Sequence, residues 1–232
     1  MKKNTDRALL SPSMKMAELM DIDFSLLGVL TRMGLSFGFG EATVEEVCRK
    51  GGINPESFLL ICEVYAYDGY LPPQSVLEQA DLKEIVNYLH RSHAYYMEVA
   101  MLELSQALER MIQPCDKRRQ SIIRKFFEDY KGELSKHFEY EENQVFPYVY
   151  AMLDHKKEGQ FTIGEYEQNH SNVEEKLEDL KNLVMKYMPL QCSSQEAFKA
   201  LFYIYSLELD LRKHTIIEDK ILVPMVGRME HE

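Results

Sequence analysis

One eleven-residue pattern occurs twice in this chain, as HFEYEENQVFP from His137 to Pro147 and as HTIIEDKILVP from His214 to Pro224. Both copies fit H-x-x-x-E-[ED]-x-x-[VL]-[FV]-P. On an α-helix, residues four apart lie one turn, about 6 Å of rise, above each other and face the same side. A duplicated His and Glu pair of this kind asks for two helices that turn the same face toward one place, which a helical bundle provides.

The surrounding sequence agrees with that demand. Four long stretches with helical hydrophobic periodicity are expected, from about Ala80 to Met111, Asp116 to Pro147 or a little beyond, Ile163 to Tyr187, and Ser194 to Leu222. Their apolar stripes read Leu82, Val86, His90, Met97, Met101, Leu104 and Leu108; Leu134, His137, Glu141, Val145 and Tyr148; Tyr166, His170, Val173, Leu177, Leu180 and Val184; and Leu207, Leu211, His214, Glu218 and Leu222. Each stripe carries a histidine. His90 and His170 precede the two motif copies by 47 and 44 residues, so the bundle reads as two related helix pairs. The expected fold is all-α, an up-down four-helix bundle with a small helical module before it.

A single His-x-x-x-Glu pair is ordinarily a surface ion pair worth ~0.3–0.5 kcal/mol, and a lone inward histidine is ordinarily a hydrogen-bonded core residue. Four histidines and two glutamates on apolar faces are another matter, because each polar group left unpaired there costs ~1–3 kcal/mol. A bound cation removes that cost. Imidazole offers neutral nitrogen ligands to iron, zinc or copper, and a carboxylate has two oxygens with which to bridge a pair of ions. The candidate metal ligands are therefore His90, His137, Glu141, His170, His214 and Glu218. Two His nitrogens and one oxygen from each bridging Glu give each ion four protein ligands; an oxo or hydroxo bridge makes five, and an octahedral ion keeps a position for a small ligand. Asp219, five residues after His214, competes with Glu218, and the symmetry of the two motif copies favours Glu218.

The 232 residues suffice for a bundle and a small module, and 45% apolar with 28% charged residues is the balance of a soluble globular protein. Pro72-Pro73 separates short helical segments from long ones, which places the expected boundary between a module of residues 1–74 and a bundle of residues 75–232. No apolar run approaches the ~18–20 residues needed to cross a bilayer, and no apolar stretch follows the basic start, so a cytoplasmic location is expected. A net charge of -11 repels phosphate backbones and anionic membranes, so neither is expected as a partner. Cys48, Cys62, Cys115 and Cys192 show no ligand or framework spacing and are expected as buried free thiols.

From Thr43 to Tyr70 the chain has the rhythm of a short helix, a Gly turn and a second short helix. Residues 1–75 hold seven Lys and Arg against ten Asp and Glu, too acidic for a typical DNA reader. A protein-docking or self-association module, giving a homo-oligomer, is preferred over a regulator. His93 is read as a neighbour of the His90 site or a surface residue; Glu133 and Glu174 are read as solvated carboxylates or partners near the metal, and His155 and His231 receive no role. Tyr95, Tyr96 and Tyr140 fit the core or the lining of the site.

These residues resemble the hemerythrin-like HHE cation-binding domains, and most closely the di-iron iron-sulfur cluster repair family. HRSH matches that family's HxxH element with His90 as ligand; HFEYEENQVFP, EQNHSNVEEKLE and HTIIEDKILVP match its remaining ligand elements. The resemblance implies two iron ions, with Mn or Zn as other occupants, a diatomic ligand (O2 or NO), iron-sulfur proteins as partners, and a role in the oxidative or nitrosative stress response. It departs in two places. Gly38 and Phe39 stand where the repair family carries an adjacent cysteine pair, and Glu174 stands where respiratory hemerythrins have a fifth histidine. The competing expectation is a binding module that senses O2, NO or iron and signals through its N-terminal part.

Overall fold

The computed structural model describes residues 10–156, 161–169, 174–187 and 194–231. These residues are helical apart from turns, loops and one isolated antiparallel bridge between Lys15 and Thr43. The all-α expectation holds. They form two compact units, one comprising Met1–Tyr88 with Ile216–Met225, the other Leu89–Thr215 with Val226–Glu232.

The first unit contains α1 (Met16–Met20), α2 (Leu26–Arg32), α3 (Val44–Gly51), α4 (Pro55–Ala66), α5 (Gln74–Leu77) and the first half of α6 (Leu82–Tyr95). Two of its helices begin at clear local signals. Thr43 and Glu46 form a reciprocal capping box on α3, and Asn54 caps α4 with Pro55 in the first turn. Gly52 ends α3 at φ 71°, a left-handed conformation that costs glycine little. Residues Ser57 to Tyr65 of α4 are all buried, so this helix is the centre of the unit, packed against α2 and α3. Arg32, also buried, lies over the Tyr65 and Tyr88 rings and donates to the Tyr65 hydroxyl at 3.1 Å.

Residues 75–88 group with this first unit by their contacts. The Asn54 backbone N–H donates to Glu84 at 2.9 Å, the Asn54 side chain to the Gln79 carbonyl at 2.9 Å, and the Asp81 N–H to Ser57 Oγ at 2.8 Å. These bonds tie the start of α6 to the start of α4, across the Pro72-Pro73 segment.

The second unit holds a bundle core built by α7 (Met101–Ile112), α8 (Lys117–Tyr140), α11 (Glu174–Tyr187) and α12 (Ser194–Ile217) up to Thr215, with α9 (Phe146–Leu153), α10 (Ile163–Asn169) and, from Val226, α13 (Val223–His231) continuing the helical runs. Leu104, Leu108 and Met111 meet Phe127, Leu134 and Phe138, Leu177 and Leu180, and Ile204, Leu207 and Leu211 in one buried cluster. Asp116 caps α8 by accepting from the Arg119 N–H at 3.0 Å, and Arg124 grips Glu109 with two bonds of 2.7 Å to close the α7–α8 hairpin.

Among the described residues, three of the helical runs contain one wide π turn each, at Tyr96–Ala100, Glu141–Val145 and Glu218–Leu222. In each, the next residue's N–H reaches back five positions: Met101 to Tyr96, Phe146 to Glu141, and Val223 to Glu218. The second and third turns have a common cause in the repeated motif. Pro147 and Pro224 have no N–H for an ordinary helical bond and their rings crowd the carbonyl four residues back, so the helix widens ahead of them.

The cysteines divide. Cys48 and Cys62 are free and buried, whereas Cys115 is disulfide-bonded, contrary to the expectation of a free thiol. Spacing along the chain carries no information about which thiols the turns of a bundle bring together. Burial pushes the Cys48 thiol up to about 12 and the Cys62 thiol well above its ordinary value, so neither is a ready nucleophile.

Candidate metal centre

Near the middle of the helical runs the polar side chains converge. His93 on α6, Glu141 at the opening of one π turn, His214 on α12 and Glu218 at the opening of another each offer a ligand atom, all within 4.8 Å of one another. All four are buried, both glutamates completely. Two imidazoles and two carboxylates in a dry, compact group are a donor set suited to iron, manganese or zinc.

Individual distances show how the group is assembled. His93 Nε2 lies 3.0 Å from His214 Nε2 and 3.2 Å from Glu141 Oε2. His137 is outside the four, yet its Nε2 lies 3.3 Å from the other oxygen, Glu141 Oε1. The Glu141 carboxylate therefore faces different imidazoles with its two oxygens. The buried Tyr166 hydroxyl donates to Oε1 at 2.7 Å and helps to orient it. On the His93 side the imidazole stacks on Phe138, with centroids 4.0 Å apart and planes 16° apart, and on Phe146 at 5.4 Å and 12°. The aromatic residues exclude water and hold the ring's orientation.

His90 is not in this group. Its side chain is 61% exposed, and Nδ1 lies 2.8 Å from Glu142 Oε2. The stripe that α6 actually buries runs Leu82, Ile85, Val86, Leu89, His93 and Tyr96. Counting back from Met101 and Met97 on an ideal helix points to His90, but the π turn at Tyr96–Ala100 inserts one residue and moves the inward phase to His93. The signal was present in the spacing Val86, Leu89, His93, Tyr96, read forward from the start of the helix.

His170 lies outside the described residues, as does the side chain of Glu174. Glu218, not Asp219, supplies the second carboxylate. Glu133 is at the surface, paired with Lys176, and His155 and His231 are exposed. Tyr96 is buried with its ring edge against His214, while Tyr95 and Tyr140 are partly exposed. Glu142 was not singled out by the sequence. Burial pushes its carboxyl up, but the imidazoles of His93 and His90 beside it outweigh burial and hold it below the ordinary range.

The family model for the hemerythrin HHE cation-binding domain matches residues 84–226. The chain belongs to that family. The matched span includes both motif copies, the three π turns and every member of the buried His and Glu group, so the HHE domain and the candidate metal centre coincide. No curated protein and no solved structure matches the chain. No helix among the described residues is long and apolar enough to cross a membrane.

Proposed function

We propose that this HHE domain binds two iron ions and serves in the oxidative or nitrosative stress response, in the manner of the iron-sulfur cluster repair proteins it resembles. One observation carries the two-ion reading: Glu141 directs Oε2 toward His93 and Oε1 toward His137, so its two oxygens would be available to ions held by different imidazoles. The proposed ligands are His93, His137, Glu141, His214 and Glu218, with His170 as the sequence expects. A bound iron pair supplies reversible redox change and an open position for O2 or NO. The protein's part is to hold the ions with His and Glu side chains, to orient Glu141 through Tyr166, and to keep water out with Phe138 and Phe146.

Anaerobically reconstituted protein should contain about two irons per chain by elemental analysis. Glu141→Leu and Glu218→Leu should lose most of that iron and should fail to deliver iron to a damaged cluster. Protein that takes up no iron overturns the proposal.

A groove in the N-terminal unit favours a second reading, that of a sensor. It has a volume of about 590 Å³ and is lined by Leu35, Phe37, Phe39, Val47 and Lys50, with Phe37 largely exposed. It lies where the repair family carries its cysteine pair, which this chain replaces with Gly38 and Phe39. On this reading the module docks a protein or a second copy of the chain when the iron centre changes state. Identical sedimentation and partner binding in iron-free and iron-loaded protein would rule it out.

A further inference from the structure

Glu142 follows a proposed ligand directly, yet it turns away from the buried group and touches the opposite edge of the same imidazole. Glu141 Oε2 is 3.2 Å from His93 Nε2, and Glu142 Oε1 accepts from His93 Nδ1 at 2.7 Å. Consecutive residues of an ordinary helix diverge by about 100°. Here both lie in the π turn Glu141–Val145, and between them they engage both nitrogens of one ring. The second Glu142 oxygen, Oε2, is 2.8 Å from Nδ1 of the exposed His90. Each carboxylate oxygen therefore has its own imidazole.

We propose that Glu142 is the positioning residue of the centre. It holds the His93 proton on Nδ1 so that the Nε2 lone pair faces the metal, and His90 is the outer arm that keeps the Glu142 carboxylate in place. The inference rests on the metal-binding reading above. The physical basis is general: an imidazole that donates its far N–H to a carboxylate is fixed in tautomer and orientation and is a more basic ligand. The stack on Phe138 and Phe146 confines the His93 ring, and the bond to Glu142 selects which of its edges carries the proton. This assigns functions to both histidines of the HRSH element and to the second acid of the motif.

The test uses zinc as a diamagnetic probe on the full chain. Competition with a chromophoric chelator gives zinc affinity. Imidazole 15N–1H correlation spectra, with His93 assigned from His93→Gln, give the tautomer in zinc-loaded and metal-free protein. Glu142→Ala should weaken zinc binding by about 10–100-fold and abolish the protected His93 Nδ1–H signal. Glu142→Gln, whose side-chain oxygen can still accept from Nδ1, should restore the signal and most of the affinity. His90→Ala should cost less than Glu142→Ala. Unchanged affinity and an unchanged Nδ1–H signal in Glu142→Ala overturn the proposal, as does a wild-type His93 without a proton on Nδ1. If zinc does not bind at all, the metal reading fails, while the metal-free spectrum still decides whether Glu142 sets the tautomer.

Discussion

His90 and His93 are three positions apart on one helix, and their surroundings give them different chemistry. His93 is buried between aromatic rings with both nitrogens engaged, whereas His90 projects outward and pairs with Glu142. Replacing His93 by Ala should therefore remove at least one of the two proposed irons. Replacing His90 by Ala should leave the stoichiometry near two and lower only the affinity, as elemental analysis and chelator competition would measure. The converse pattern would return the ligand role to His90. The same scale explains why Glu142 was invisible beforehand: its partners come from α6, far away in sequence, and an acid next to an acid in a surface-like stretch reads as solvated.

Within the elements, the π turns decide most. A stripe counted through an ideal helix loses its phase by one residue at each of them, and two of the three open at a proposed carboxylate ligand. Wide turns of this kind are uncommon and tend to occur at functional sites. The proline in each motif copy gives the chain a local reason to adopt them, which makes the final P of the pattern part of the site's construction. Elsewhere α8 carries an avoidable weakness. Gly132 is exposed in the helix interior, and a Cβ added there meets nothing within 4 Å. Gly132→Ala should raise stability by about 0.5–1 kcal/mol in urea unfolding, with metal content unchanged.

At the scale of the whole molecule, a metal that binds only the folded chain is a stability device. Glu141 and Glu218 are fully buried, and a cation between them compensates charge that the interior disfavours. At a free metal concentration about 100 times the dissociation constant, binding adds about 2.7 kcal/mol. For a protein of this size each kcal/mol is worth roughly 2–4 °C. Scanning calorimetry should show Tm rising by about 5–10 °C on loading, and Glu218→Leu should remove most of the rise. An equal rise in that variant would locate the stabilising metal elsewhere.

The division between chain and fold follows from the range of the interactions concerned. Helix class, the two His-x-x-x-Glu pairs and the proline after each depend on residues within about one turn of one another, so sequence alone determined them, and with them the family. The burial of His93 rather than His90, the pairing of Tyr166 with Glu141 and of Glu142 with two histidines, the docking of residues 75–88 on α4 and the disulfide at Cys115 were decided only by tertiary structure. Each depends on contacts between distant segments, or on a one-residue change of helical phase whose effect appears only when the helices pack.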